Sequence, residues 1–380
     1  MPSVSIAPPD IAVIGGGIVG LWTAYSAARQ GLSVVLLEKR TLGAGASGGV
    51  MGALMPHQPT GWNEKKQFQL EALLTLETEV ADLETFTGLS AGYRRCGRIM
   101  PIRHAEKRRQ SAAWAEASHD NWPDPYRWRV TDETPAPDFL PQIEMPFGAN
   151  TDNLSARIDP RRLSAALMAA LRRLSVTICE NTGIDGIETD GTLHLANGET
   201  LTPGHAVLAA GWESFALVAD RFSGPVGQGV KGQAALLRPA RPLDASAPIL
   251  YDNGTYVIVH DSGDVAIGST SENEFSDPGA TDEKLEAVIA SAQALCPALQ
   301  NAEVLERWAG IRPKAAGREP LAGPLQANGN VWIATGGFKI GVAIAHRMAD
   351  AVLMQIAGAQ PDFLPDIFLP ENRLRTSVDT

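Results

Sequence analysis

The chain has 380 residues, 44% of them hydrophobic and 20% charged, which is the composition of an ordinary globular protein with room for about two domains. It carries 32 Lys and Arg against 43 Asp and Glu, a net charge of −11, and so lacks the basic footprint that nucleic acid or an anionic membrane surface requires. Cys96, Cys179 and Cys296 are scattered with no CxxC, and the seven histidines form no HExxH, so neither a disulfide framework nor a metal site is expected.

Ile11–Ile14 is a short apolar run that stops at glycines, the pattern of a buried parallel strand. A helix is predicted from about Ile18 to Gln30, with Gly31 as its stop, and Val34–Leu37 is a second buried strand. Together they make a βαβ unit. The uncharged stretch IAVIGGGIVGLWTAYSAA approaches the length of a membrane helix, but its middle is Gly15-Gly16-Gly17, a poor helix interior. No basic residue precedes it, as a signal peptide would need, so a cytoplasmic protein is expected.

Further along, Glu64 to about Phe86 reads as a long amphipathic helix, and Asp159-Pro160 starts another that runs to about Leu174. Strand-like runs follow at Val176–Cys179, Ile184–Glu188 and Ala206–Ala209. From Lys231 the texture becomes antiparallel, with strands predicted at Gln233–Leu237, Thr255–Val259 and Val265–Gly268 and a helix near Asp282–Leu295. Val331–Ala334 returns to the buried type, followed by a glycine turn and a helix from Lys339 to about Ile356. The expectation is a mixed α/β fold. A Rossmann-like nucleotide domain is built from separated segments, and a substrate domain with a mostly antiparallel sheet is inserted in it.

GxGxxG matches three times: Gly15/Gly17/Gly20, Gly43/Gly45/Gly48 and Gly227/Gly229/Gly232. Only the first leaves a strand, opens a helix and has an acidic residue, Glu38, closing the next strand. In a dinucleotide site Gly15 makes the turn, Gly17 lets backbone approach a pyrophosphate and Gly20 brings helix and strand together. The helix N-terminus with Ile18 and Val19 receives the phosphates, and Glu38, beside Lys39, accepts ribose hydroxyls. The third match precedes a strand and is discounted. Gly45-Ala46-Ser47-Gly48-Gly49 also fits the GxSxG elbow of a hydrolase, but Ser47 does not follow a strand directly, so a nucleophile is disfavoured. Up to this point the dinucleotide is either NAD(P) or FAD.

IAVIGGGIVGLWTAYSAARQGLSVVLLEKR followed by GAGASGGVMGAL resembles the amino half of the family of D-amino-acid oxidase, glycine oxidase and sarcosine oxidase. RIDPRRLSAAL, ENTGIDGIE, HAVLAAGWES, PVGQGVKGQ, VAIGSTSE, WAGIRP and ATGGFKIGVAIA agree in order, and only about 105–150 is unlike the family. The resemblance implies an FAD-dependent amine oxidoreductase. An FAD-binding domain is expected over 8–88, 150–224 and 318–365, and a substrate-binding domain over 89–149 and 225–317.

By resemblance, Ala46, Ser47 and Gly52 lie against the flavin, and Ile184 presents backbone to the adenine. Ala209, Ala210, Gly211 and Trp212 form the loop beneath the ribityl chain. Gly336, Gly337 and Phe338 reach the flavin's pyrimidine edge. The arginine of Gly310-Ile311-Arg312-Pro313 pairs with a substrate carboxylate in the glycine oxidase branch, where a guanidinium fork suits that anion; a structural ion pair is the alternative. Lys339, placed unfavourably for a cation at a helix N-terminus, matches a lysine that holds substrate carboxylate in the sarcosine oxidase branch. Tyr256 stands where the glycine oxidase branch has a tyrosine on that carboxylate. His260 replaces a more usual arginine and has no assigned role.

No cysteine matches the flavin-tethering one of the sarcosine oxidase branch, so noncovalent FAD is expected. Ala266 stands in place of that branch's oxygen-activating lysine, which leaves oxygen or another electron acceptor open. Trp114, Trp122, Tyr126 and Trp128 are read as peripheral packing. The implied reaction is oxidation of the C–N bond of a small carboxylate-bearing amine, by hydride transfer to flavin N5 and hydrolysis of the imine. Two alternatives stand: an FAD-dependent 2-hydroxy acid dehydrogenase passing electrons to quinone or a carrier protein, and a dinucleotide-binding protein without catalysis. A homo-oligomer is compatible with either.

Overall fold

The computed structural model describes residues 8–136, 138–326 and 329–374. Its organising element is a six-stranded sheet in the order Leu321–Pro324, Val331–Thr335, His205–Leu208, Ile11–Ile14, Val34–Leu37, Thr177–Cys179. All neighbours are parallel except the first pair. Alternate side chains feed opposite faces. Ile11, Val13 and Leu36 enter one core with helices α1 (Ile18–Arg29), α2 (Glu64–Thr87), α4 (Pro160–Arg173) and α7 (Gly341–Ile356). Ala12, Ile14, Val35 and Leu37 enter the other, which is shared with a small sheet of Ile184–Ile187, Leu193–Leu195 and Thr200–Leu201.

The helix ends follow the local chemistry. The Asn63 side chain caps α2 by accepting from Lys66 N at 3.0 Å, and Gly88 ends it with φ +73°. Asp159 caps α4 ahead of Pro160, as the sequence predicts. The remaining helices are α3 (Ala105–Asn121), the single turn α5 (Ser214–Leu217) and α6 (Glu283–Leu295). Among the described residues no helix is long and apolar enough to cross a membrane.

A second, eight-stranded sheet runs in the order Glu303–Ala315, Gly227–Arg238, Val265–Gly268, Thr255–Val259, Ile249–Asp252, Arg98–Pro101, Ala149–Asp152, Trp128–Thr131. It is antiparallel except between Ile249–Asp252 and Arg98–Pro101. The predicted strand Gln233–Leu237 is longer than expected and reaches back to Gly227, because it pairs along its whole length with Glu303–Ala315. The third glycine match therefore lies inside a strand rather than before one. The predicted helix from Lys339 starts as a short 3-10 turn, Phe338–Ile340, and becomes α-helical at Gly341.

The segment unlike the family supplies α3, the edge strand Trp128–Thr131 and the start of its neighbour Ala149–Asp152. Trp114, Trp122 and Trp128 are buried together against Leu70 and Leu154, with Tyr126 partly buried at the margin, so these aromatics pack.

Candidate functional site

Three parallel strands end at the same edge, after Ile14, Leu37 and Leu208, and there a cleft of about 1080 Å³ opens. Ligands of open α/β sheets sit at this edge, beyond the carboxyl ends of the strands. Gly15 turns the chain with φ +110°, and a Cβ on it would fall 2.6 Å from the carbonyl oxygen of Ala209. Gly20 is the one cofactor candidate that does not line the cleft. A Cβ there would lie 1.9 Å from Gly15 O, so its part is to let α1 meet the strand.

Gly17 precedes α1 without a side-chain cap of its own. Ser47 Oγ supplies one from a distance by accepting from Ile18 N at 2.8 Å. Ser47 sits in the 3-10 turn Ala46–Gly48 and among the described residues makes no hydrogen bond to a base, which leaves the nucleophile reading without support there. Glu38 accepts from Gly16 N at 2.7 Å and from Arg40 N at 2.8 Å. This holds the carboxylate at the cleft wall with lone pairs to spare for hydroxyl donors. Lys39 pairs with Glu213 at 3.3 Å, and Thr182, Gly183 and Ile184 complete this end.

These residues fit FAD. The cleft exceeds the roughly 300–1,000 Å³ of a drug-sized pocket. A Cβ at Gly45 or Gly211 would meet nothing within 4 Å, so backbone is open to a bound molecule. The start of α1 and the Glu38 carboxylate both line the cleft, and free helix N–H groups and a carboxylate suit a pyrophosphate and ribose hydroxyls respectively. Val19, Ala46, Gly52, Ala209, Ala210, Gly211, Trp212, Gly336, Gly337 and Phe338 all line the cleft. None of the three cysteines lines it.

The far end of the cleft is built by the larger sheet. Arg312 comes from Glu303–Ala315, and an isolated bridge between Lys314 and Gly337 ties that strand to the turn carrying Lys339. Arg312 Nη2 donates to Ser269 Oγ at 2.8 Å and Nη1 donates to Thr270 O at 3.1 Å. Among the described residues it has no carboxylate partner in an ion pair, and neither does Lys339. Burial lowers the pKa of both, and the charge of Arg312 adds to the effect on Lys339. Tyr256 also lines this end; burial, with Tyr251 against it, pushes its phenol up to about 12. Glu272 is the one carboxylate acting on Arg312 electrostatically, and among the described residues none reaches either cation in an ion pair, so two cations and a neutral phenol meet in an arrangement complementary to an anion.

Some wall residues were not legible in the sequence. Trp308 covers Gly49 and Gly310, where a Cβ would fall 3.0 Å and 2.4 Å from its ring. Ser269, Met51, His57 and Gln69 line the same cleft. His260 is not among the lining residues: buried, it bonds Val50 O through Nε2 at 3.0 Å. Ala266 is fully buried between Leu236 and Ile258, away from the cleft. No cluster of three or more metal-ligating side chains occurs among the described residues.

Residues 10–352 match the family described as FAD dependent oxidoreductase, DAO. The glycine oxidase of Pseudomonas putida is 28% identical over 381 residues, covering 96% of this chain and 99% of its own. That of Geobacillus kaustophilus is 25% identical over 358 residues, covering 88% and 89%. The crystal structure of the Geobacillus kaustophilus enzyme superposes with a TM-score of 0.85 at 22% identity over 95% of this chain and 98% of the other. The iminodiacetate oxidase of Chelativorans sp. BNC1 superposes with a TM-score of 0.84 at 18% identity, again over 95% and 98%. The sheet order, the glycine cradle and these matches agree: the chain belongs to the DAO family of FAD-dependent oxidoreductases.

Proposed function

We propose that this enzyme oxidises the C–N bond of a small amino acid or N-methylated amino acid. The observation that carries the reading is Arg312, a half-buried guanidinium that lines the cleft with no carboxylate of its own. A substrate carboxylate supplies the missing charge, and the Arg312 fork binds it while Lys339 and the Tyr256 hydroxyl flank it. FAD, which Gly15, Gly17, Glu38 and Ser47 would help hold, would supply the two-electron oxidation by accepting a hydride from the substrate carbon, and water would hydrolyse the resulting imine. The protein positions the carbon: the anion is held at one end, Trp308 and Met51 wall the apolar side, and the Gly336-Gly337 turn keeps backbone close. The glycine and iminodiacetate oxidases among its relatives support a small, carboxylate-bearing amine.

The larger sheet supports assigning 89–149 and 225–317 to the substrate, with 8–88, 150–224 and 318–365 holding the cofactor.

Anaerobic titration of the FAD-loaded protein with glycine, N-methylglycine, iminodiacetate and 2-hydroxy acids tests the reading. Bleaching of the flavin by an amine, with release of ammonia or the shorter amine, is the expected result. Bleaching by hydroxy acids alone would replace it with a 2-hydroxy acid dehydrogenase.

A further inference from the structure

His57 and Gln69 lie in the cleft wall and are not accounted for by binding of cofactor or carboxylate. Gln69 projects from α2 and is 1% exposed. Its Nε2 donates to Met55 O at 3.0 Å, so its Oε1 faces His57, where it accepts from the backbone N of His57 at 3.0 Å. The same Oε1 lies against His57 Nδ1. An amide oxygen only accepts, so Nδ1 carries the ring proton and Nε2 is left with its lone pair. Among the described residues Nε2 has no hydrogen-bond partner, and His57 is among the residues lining the cleft.

The position is at the substrate end. Met55, two residues before His57, packs in one cluster with Tyr256 and Trp308. Arg98 acts electrostatically on both His57 and Tyr256. The charged groups facing the imidazole are Lys65 and Lys66 from α2 and Arg98 from Arg98–Pro101, all cationic. Together with burial, which is the largest effect, they hold its pKa below the ordinary value and keep the ring neutral. Among the described residues no carboxylate lining this end could receive an ammonium group; the acidic lining residues are Glu38 and Glu213, at the opposite end, and Asp277 in the 273–280 loop.

A carbon bonded to an ammonium nitrogen cannot release a hydride to form an imine, because the nitrogen has no lone pair to share. We infer that His57 Nε2 takes the proton from the substrate's ammonium group, with Gln69 as the positioning residue that fixes the acceptor tautomer. The N–H bond breaks, Nε2 gains the proton, and the freed lone pair forms the C=N bond as the C–H bond breaks and its hydride passes to the oxidised flavin that the cleft would hold. The imidazolium then returns its proton to water. This rests on the amine-oxidation reading above.

The test is stopped-flow reduction of the FAD-loaded protein by glycine between pH 6.5 and 10, for wild type and His57→Leu. At pH 7 the variant should reduce about 100-fold more slowly, the order expected of a general base. Near pH 10, where the amine of free glycine is already largely unprotonated, it should approach the wild-type rate. Affinity for acetate, which has no amine, should be unchanged. A loss equal at every pH, or no loss, overturns the role. If His57→Leu folds without flavin, His57→Asn gives the same discrimination. Wild type reduced by no amine at any pH overturns the amine reading itself, and this inference with it; wild type reduced normally with an unaffected variant overturns only His57.

Discussion

Gly232 makes the space that Arg312 occupies. A Cβ on Gly232 would fall 2.2 Å from Arg312 Nη2 and 2.3 Å from Cζ. Arg312 pairs with Val230, two residues from Gly232 on the same strand face, so the clash follows from strand register. The clashing atoms are the tip of a flexible side chain, which will move before the backbone does. Gly232→Ala should therefore leave folding and flavin content intact while displacing the guanidinium. A rise in KM of about 10-fold or more is expected, one charge-assisted hydrogen bond being of the order of 1.5–3 kcal/mol. Steady-state kinetics with unchanged KM would show that Arg312 is not the anchor.

Arg312→Leu removes a half-buried charge with no ion-pair partner among the described residues, so the fold loses two hydrogen bonds but also a desolvation cost. Thermal stability should change by no more than about 1 kcal/mol, whereas KM for a carboxylate substrate should rise about 100-fold. Visible absorbance per protein should stay at the wild-type level. A variant that unfolds instead would make Arg312 structural.

The cradle was legible because its parts are local: Gly15, Gly17, Gly20 and Glu38 lie within one βαβ unit, where spacing dictates geometry. The anion end was not, since Arg312, Tyr256 and Lys339 come from three distant segments and only the family resemblance brought them together. Gly227, Gly229 and Gly232 looked like a spurious repeat of the first motif. They lie in a strand where a Cβ would strike Phe215, Trp212 and Arg312 respectively, a role that depends on long-range pairing with Glu303–Ala315. His57 and Gln69 carried no signal, because a polar residue on a helix's buried face has no fixed spacing from the histidine it holds.

Gly15→Ala should abolish cofactor binding. The substitution puts a side chain at φ +110° and 2.6 Å from the Ala209 carbonyl, which is backbone and cannot swing aside. Strain of about 1–3 kcal/mol falls on the loop Ala209-Ala210-Gly211 that faces the cleft. The purified variant should be colourless and fail to regain absorbance with added FAD. Recovery of full absorbance would place the cofactor elsewhere.

Ser47→Ala removes the acceptor for Ile18 N, one of the orphan donors at the start of α1. The cost by analogy with a lost N-cap is about 1 kcal/mol, and FAD affinity should fall along with the melting temperature. No hydrolytic activity toward esters is expected from wild type. An esterase activity lost in the variant would revive the nucleophile reading.

His346 provides the clearest dependence of stability on pH. It is 2% exposed in α7, with Nε2 on Thr75 Oγ1 at 2.9 Å, Trp22 against its ring and Nδ1 unpartnered among the described residues. Burial, reinforced by Arg347, pushes its pKa down to about 3. Between that value and the ordinary 6.5 the unfolded chain binds a proton that the folded protein refuses, so stability falls as pH falls through this window. Above 6.5 the residue contributes no slope. At pH 4.5 the loss amounts to about 2–3 kcal/mol, since each pH step below 6.5 is worth about 1.4 kcal/mol. His346→Gln lacks the titrating ring, so its melting temperature should drop less than that of wild type between pH 7.5 and 4.5. Because the 3-10 turn Phe338–Ile340 that leads directly into α7 carries Lys339 to the cleft, acid release of FAD should shift to lower pH in the variant as well. Parallel melting curves for the two proteins would show that α7 tolerates a protonated His346.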